Sequence, residues 1–474
     1  MTETNNVAFL FTSHDICTAT QGTCTAATPI AVSGVCIDSR KVSAGDMYIA
    51  LKGERVDGHD YAAAALHAGA ACVMVERVCT DIPATQQIIV NDCLSALQQL
   101  AAYHRARCSF KVVGVTGSVG KTTTKEMLAL CIGAQRRVVA TQGNYNNHIG
   151  LPLTLVNVPT DIEIVILEMG MNHAGEISLL SQLARPDAAI ITTVDAVHLE
   201  FFDSVAGIAH AKAEMMDGMG ANAPIILPYD NPYFEILQKK ANSQGCHVLR
   251  FGRSAQAEYR FDTCFTNAAG TRATIHTPNG KHTLHLQVVG EHLVMNALSV
   301  LACVDALGLD SAQALAQLSY YEDTKGRGTI YHHVWSDAET HDEYSLTVLD
   351  DSYNASPASM RAAFARLHAL AGGEHRTIAA LGDMKELGND APTFHASLAE
   401  SLQENRINAL FCTGEMMRHL YEAARPTMEA YHFPNNAELA TALRNYVQGG
   451  DIILCKGSRS SHMEEVVQVL LSRS

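Results

Sequence analysis

The residues TGSVGKTT, Thr116 to Thr123, combine glycines, a lysine and three threonines directly after the apolar run FKVVGV at 110–115. A buried strand that ends on glycines and passes straight into a helix turns successive backbone N–H groups toward one point. With the positive end of the helix behind them, those groups form a cradle for phosphate oxygens. Gly117, Ser118 and Gly120 shape the turn, Lys121 reaches toward the outer phosphates, and Thr122 offers a hydroxyl to Mg²⁺. Thr123 belongs to the same nucleotide-binding set. The strict spacing G-x-x-x-x-G-K would place its first glycine at position 115. Val115 stands there and the glycine is Gly114, so the loop is a shortened variant. The plain alternative is a glycine-rich turn.

Further chemistry follows the next strands. Glu168 ends the run IEIVILE (162–168), and His198 follows AAIITTV (188–194) in TTVDAVHLEFF. Ligands of open α/β folds bind at the carboxyl edge of the sheet, and hard Mg²⁺ takes carboxylate oxygen. A surface carboxylate and a solvated histidine are the ordinary readings of the two residues taken singly. Lys212, in the helical segment AGIAHAKAEMMDGM, reads on its own as a solvated helix lysine. Later in the chain, DDSYNASP (350–357), GDMKELG (382–388) and KGSR (456–459) each follow an apolar strand. The last is expected to open the final helix as an anion site. Arg327 lies in TKGRG at a segment boundary. These loops could simply connect and cap; a shared edge facing a nucleotide cleft explains them better as a set.

The elements that must position these residues divide the chain into three units, in keeping with the domain number its 474 residues suggest. The expected fold class is α/β throughout. Residues 1–108 form a small N-terminal α/β domain, with patterned stretches at 32–40, 46–53 and 72–78 and a helix over 94–106. Residues 109–324 form a central phosphate-loop domain, whose near-continuous apolar strands alternate with helices as in a parallel sheet covered on both faces. Within it, 250–290 reads as an antiparallel flap or edge, and 292–308 as a helix with Val294, Ala297, Leu298 and Leu301 on one stripe. Residues 325–474 form a C-terminal Rossmann-like domain with strands near 345–350, 377–381, 409–412 and 451–455. Pro357 marks the first turn of a helix there.

Composition narrows the class. Apolar residues at 47% and charged residues at 18% suit packed domains and argue against wholesale disorder. The net charge of −15 argues against nucleic acid or an anionic membrane as a general partner. No stretch reaches the roughly 18 apolar residues of a spanning helix, and Met1 to Leu10 lack the pattern of a secretion leader. Thirteen scattered cysteines without a CxxC read as small buried residues of a reducing compartment. A cytoplasmic monomer is expected. On the residues alone, an amide-forming ligase and a phosphate-loop nucleotide switch both fit. Phosphate release that requires both acceptors would separate them.

Together, DSRKVSAGDMYIALKGERVDGHDY (38–61), TGSVGKTTTKEM (116–127), TQGNYNNHIGLP (141–152), EMG (168–170), HLE (198–200), AKAE (211–214), DDSYNASPASM (350–360), GDMKELG (382–388) and KGSRS (456–460) resemble the Mur ligases over almost the whole chain. NYNNHIGLP and DSYNASP point within that family to the branch that adds D-alanyl-D-alanine. The resemblance implies that ATP and Mg²⁺ activate the carboxylate of UDP-N-acetylmuramoyl-tripeptide as an acyl-phosphate, which the amine of D-alanyl-D-alanine attacks. By the same resemblance Lys121, Glu168, His198 and Lys212 are catalytic. Thr122, Glu168, His198 and a carbamylated Lys212 serve the metal. Asn296 contacts adenine, with His292 before it, and Arg327 and Asp351 clasp ATP from the third domain. Ser39 and Arg40 bind the UDP moiety, and Asn144, Asn147 and Lys456 bind substrate. The chain departs from the family pattern at Leu293, where an asparagine is usual, and at Thr193, Asp195 and Ala196, where an Asn and a Gly-Pro turn are usual.

Overall fold

The computed structural model describes residues 9–336 and 343–472. The stretch read for a leader lies outside them except for its last two residues. Among the described residues, three larger sheets organise the chain in sequence order, beside a short pairing of Phe11–Thr12 with Ala31–Val32. The first has five strands, in the order Thr23–Cys24, Gln87–Ile89, Cys72–Val75, Asp46–Ile49 and Gly34–Cys36, parallel except at the first pair. Its closing helix, Cys93–Arg107, starts where Asp92 accepts the Ser95 N–H at 2.6 Å and ends in Arg105 and Arg107. An oxygen cap at one end and cations at the other suit the helix dipole.

This first unit keeps a small core of its own, around Tyr48, Ala65, Val73 and Val75, and shares its larger one. Leu97, Leu100 and Phe110 share one buried cluster with Leu151, Leu155, Ile177 and Leu180 of the next unit. Arg105 ties the seam, donating to the carbonyls of Phe110, Ala184 and Arg185 and to Asp187. Asn157 spans it a second time, accepting from Val35 N–H at 2.7 Å and donating to Val35 O at 2.9 Å.

The central sheet runs Val138–Ala140, Ile164–Glu168, Lys111–Thr116, Ala188–Ile191, Pro224–Pro228 and His247–Gly252, all parallel, and continues into Tyr259–Asn267, Gly270–Thr277 and Gly280–Leu286. The last three form the antiparallel edge expected for 250–290. Lys111–Thr116 lies in the middle. The chain leaves it toward one side and later crosses to the other, and a crevice opens at such a reversal beyond the carboxyl ends of the strands. Helix Glu291–Ala306 covers one face. The expected stripe is there, but Val300, Ala302 and Cys303 are buried too, because helices Lys121–Gly133 and Ser311–Leu318 close over it.

The third sheet has the order Thr329–Ser336, Glu343–Asp351, Ile452–Lys456, Thr377–Gly382, Ala409–Thr413 and Glu429–Phe433, antiparallel only at the first pair. Ser356 caps helix Pro357–Ala371, with Pro357 in its first turn and Met360, Ala363, Phe364 and Leu367 buried. One expectation fails here. The strand continues through Lys456, and the final helix begins only at Glu464 after a short turn over Arg459–Ser461. KGSR therefore does not open that helix. Instead the Ser458 N–H and the Ser461 hydroxyl donate to Asp383 O, each at 3.0 Å, binding this loop to GDMKELG.

All thirteen cysteines are free thiols. Among the described residues no helix is long and apolar enough to cross a membrane.

Candidate active site

The strand register assembles the site. Glu168 lies beside Val115 and Thr116 beside Ile191, so the phosphate loop, the carboxylate and the approach to His198 leave one sheet edge together. In the third sheet Asp351 lies beside Lys456 in the same way. A cleft of about 1230 Å³ joins the two edges. It is lined by Ser118, Gly120, Lys121, Thr122, Thr123, Asn144, Asn147, Glu168, His198, Asn296, Arg327, Asp351 and Lys456, as the sequence led one to expect of a shared site.

The glycines of the loop are required by close approach. At Gly117, with φ of 150°, a β-carbon would lie 1.9 Å from Thr192 Oγ1; at Gly120, with φ of 83°, it would lie 2.9 Å from Asn296 Oδ1. A side chain at either position would displace the wall behind the cradle. Lys121 folds back onto the loop, its Nζ donating to Gly117 O at 2.8 Å. Burial lowers its pKa, Glu168 opposes that shift, and Arg327 reinforces it. Glu168 is buried and takes the Thr122 hydroxyl at 2.8 Å on one oxygen and the Asn146 amide at 2.8 Å on the other.

Other members of the set are placed differently. Gly117 lies behind the lining. Lys212 does not reach the cleft wall: it is only 2% exposed, in helix Val205–Ala213, which overturns its reading as a solvated lysine. Burial drives its pKa well below the ordinary lysine range, and Lys121 adds repulsion. Ser39 and Arg40 stand apart on the first domain, where Arg40 is exposed and pairs with Asp38 at 2.8 Å. Asn147 uses its side-chain oxygen to accept the N–H groups of Ile149 and Gly150, leaving its amide nitrogen for a ligand. Crowding in the cleft, then the charges of Arg366 and Lys456, bring His292 down to about 4, although its surface opens to the cleft.

Sequence reasoning missed several groups. Asn146 stands between two named asparagines. Tyr353 lies under the Arg327 guanidinium, 4.0 Å from its ring centre, with Arg459 5.8 Å away. Arg366 pairs with Asp323 in a buried bridge at 2.5 Å, and nothing in its helical pattern marked it. Glu386, from GDMKELG, bonds His198 Nδ1 directly, and that bond holds its carboxyl below the usual range.

Asp351 is committed to Lys456, whose Nζ donates to it at 2.6 Å and to Asn354 O at 2.9 Å. Lys456 is 2% exposed. Asp351→Ala is therefore expected to raise the KM for ATP and to destabilise the fold by about 1–3 kcal/mol, because it strips a buried cation of its one anionic acceptor and leaves only the Asn354 carbonyl. Asp351→Asn should recover part of the stability. Denaturant unfolding with and without nucleotide checks this; an unchanged midpoint and unchanged ATP constants would contradict it.

Phosphate cradle, buried acid and facing C-terminal loops together define an enzyme that uses ATP across a domain cleft. The family profiles agree. Residues 31–105 match the Mur ligase family catalytic domain, 115–304 the Mur ligase middle domain, and 338–459 the Mur ligase glutamate ligase domain. The chain is 36% identical over 444 residues to the UDP-N-acetylmuramoyl-tripeptide–D-alanyl-D-alanine ligase of Bacillus subtilis, covering 93% of each. It is 34% identical to the Escherichia coli enzyme of the same name, covering 93% of this chain and 94% of that one. The crystal structure of MurF from Acinetobacter baumannii superposes with a TM-score of 0.87 at 30% identity, over 97% of this chain and 98% of that one. MurF ligase from Thermotoga maritima in complex with ADP gives 0.77 at 28%, over 92% and 96%. The chain belongs to the Mur ligase family. It is an ATP-dependent ligase homologous to MurF, forming an amide bond in peptidoglycan precursor synthesis, and use of ATP with Mg²⁺ is typical of the family.

Proposed function

We propose that the chain joins D-alanyl-D-alanine to UDP-N-acetylmuramoyl-tripeptide, giving UDP-N-acetylmuramoyl-pentapeptide, ADP and phosphate. The observation that carries this reading is the single cleft shared by the phosphate loop, the NYNN loop and the DSYNASP and KGSR loops. It is the arrangement a three-substrate reaction needs: ATP on the central edge, the two peptide substrates meeting opposite. Relatives of that name at 36% and 34% identity support the substrate choice.

Among the described residues no three His, Cys, Asp or Glu side chains gather as a metal cluster, so what supports a hard divalent cation is the pairing of one carboxylate with one hydroxyl. Glu168 is a buried carboxylate already gathered with the Thr122 hydroxyl, and His198 shares the cleft. Thr122, Glu168, His198 and a carbamylated Lys212 would hold Mg²⁺, which when bound neutralises charge on the transferring phosphoryl group. Lys121 exchanges its bond to Gly117 O for phosphate oxygens. Asn296, behind Gly120, and Arg327, stacked on Tyr353, hold the nucleotide from two domains. Asn144, Asn147 and Lys456 orient the tripeptide end and the incoming amine. Closure of the cleft keeps water from the acyl-phosphate, which would otherwise hydrolyse.

Mass spectrometry of products formed from enzyme, ATP, Mg²⁺, a panel of UDP-tripeptides and D-amino dipeptides tests the reading. The pentapeptide is expected only with D-alanyl-D-alanine present. Phosphate release at the same rate without either acceptor would favour a nucleotide switch. In the first domain, Ser39 and Arg40 serve the UDP moiety in this reading. Arg40→Ala should weaken UDP-tripeptide binding about tenfold, as expected for the loss of one charge-assisted hydrogen bond, and leave ATP binding within about twofold. Calorimetric titrations showing the opposite ranking would remove the UDP site from this surface.

A further inference from the structure

The bond between His198 and Glu386 crosses from the central domain to the third. It is one of a pair, because the Glu200 N–H also donates to Glu386 O at 3.2 Å. Both residues occupy the left-handed region, His198 with φ of 56° and Glu386 with φ of 63°. That conformation costs free energy for a residue with a side chain, and it persists where surrounding contacts over-determine it.

The loop that presents Glu386 is firmly held. The Met384 N–H donates to the buried His395 ring at 3.0 Å, and Asp383 accepts the Met417 N–H at 2.9 Å. Asp383 O also receives the two bonds from the KGSR loop described above. Glu386 is thus offered by a well-bonded loop of the third domain, whereas His198 immediately precedes a short turn, Leu199–Phe201, outside the central sheet. A carboxylate that takes the Nδ1–H of an imidazole fixes its tautomer and orientation and makes Nε2 the better donor to a cation.

We propose that Glu386 is a positioning residue for His198, so that docking of the third domain and completion of the cation site are one event. The proposal rests on the reading of His198 as a metal-holding group. With the domains apart, the imidazole loses its carboxylate partner and cation affinity falls. With them docked, Nδ1 is engaged and Nε2 is left for the cleft. A cation bound at His198 in turn favours the docked arrangement, because linkage acts equally in both directions.

The experiment uses the full chain, with Mn²⁺ as probe in the presence of a non-hydrolysable ATP analogue and bicarbonate. Mn²⁺ affinity is read by electron paramagnetic resonance and docking by hydrogen exchange at the Glu200 amide. Glu386→Ala is expected to weaken Mn²⁺ binding by about 10–100-fold, as loss of such a partner typically does. It should also speed exchange at Glu200. Glu386→Gln, whose amide oxygen still accepts the Nδ1–H, should retain most of the affinity and the protection, which a mere steric role for the side chain would not predict of both readouts. Unchanged Mn²⁺ affinity in Glu386→Ala, with His198→Ala clearly weakened, would overturn the positioning role alone. Unchanged affinity in His198→Ala would overturn the metal reading and this proposal with it. Weakened affinity with unaltered exchange at Glu200 would overturn the coupling to docking.

Discussion

Lys121→Ala is expected to lower kcat for ligation by about 10²–10³-fold, the usual cost of removing one preorganised charge-stabilising donor. The reasoning begins with where the amine sits. Its bond to Gly117 O shows that it already points into the loop, so little reorganisation separates the resting geometry from one that meets phosphate oxygens. Burial lowers its pKa, but Glu168 favours the charged form, and an incoming polyphosphate would favour it further. Because charge on the phosphoryl group shifts most in the transition state, the loss should fall on kcat more than on the KM for ATP. The residue is half-buried rather than a free loop side chain, so the variant also loses one hydrogen bond, worth about 1 kcal/mol of stability. Lys121→Arg should not restore the rate, since a planar fork is a poor substitute for a point charge inside so narrow a turn. Pentapeptide formation at saturating ATP and Mg²⁺ checks the prediction, with a melting curve to confirm folding. Near-normal turnover would remove Lys121 from phosphoryl transfer.

Much of this site was legible because chemistry and secondary structure coincide in the sequence. TGSVGKTT announces itself because the glycines, the lysine and the helix start must all be adjacent for a phosphate cradle to exist. Glu168 and Asp351 were findable because each ends an apolar run, and a parallel sheet sends every such end to the same edge. KGSR is expected to open the last helix and does not, for a physical reason. A loop that follows a strand and precedes an apolar stripe resembles a helix opening, but here its hydrogen bonds go to Asp383, far away in sequence.

What the sequence withheld is of that long-range kind. Glu386 becomes interesting only beside His198, 188 positions earlier. Arg366 becomes so only beside Asp323, and no local pattern encodes either meeting. The fused core of the first two units was equally hidden. Residues 94–106 read as a helix, and nothing in that segment says that Leu151 and Leu180 complete a cluster with its Leu97 and Leu100. The helix Glu291–Ala306 shows the same limit from the other side. A stripe of four residues suggests one buried face, yet the neighbours that bury the second face are known only from the fold.

Lys212→Ala is expected to reduce turnover by at least about 10²-fold, comparable to losing a charge-stabilising group from the transition state. Burial is what separates this residue from the surface lysine it resembles in sequence. Among the described residues it has no ion-pair or hydrogen-bond partner, and it is packed where an ammonium is poorly solvated. An unpaired buried charge is so costly that the group either releases its proton or changes its chemistry. Desolvation, helped by the nearby charge of Lys121, favours the first, lowering the pKa of the amine well below the ordinary lysine range. A neutral amine has the lone pair that the proposed carbamylation needs: its nitrogen would bond the carbon of CO₂, and one proton would leave to give an anionic carbamate. That product would reverse the electrostatics, since the repulsion from Lys121 would become attraction and two oxygens suited to Mg²⁺ would replace an ammonium that could not ligate it. The sign of the pH dependence follows. Falling pH protonates the amine and drives the carbamate back to CO₂, so occupancy and rate should fall together on the acid side, and added bicarbonate should shift that limb to lower pH. Lys212→Arg keeps a cation but cannot form this carbamate, and should be as inactive as the alanine variant. A small carboxylate such as formate or acetate, entering the space left in Lys212→Ala, should restore part of the rate. Carbon-13 spectra of enzyme equilibrated with labelled bicarbonate should show a carbamate signal that is missing in Lys212→Arg. No such signal in the nucleotide- and Mg²⁺-loaded wild type, combined with wild-type rates for Lys212→Arg, would defeat the assignment.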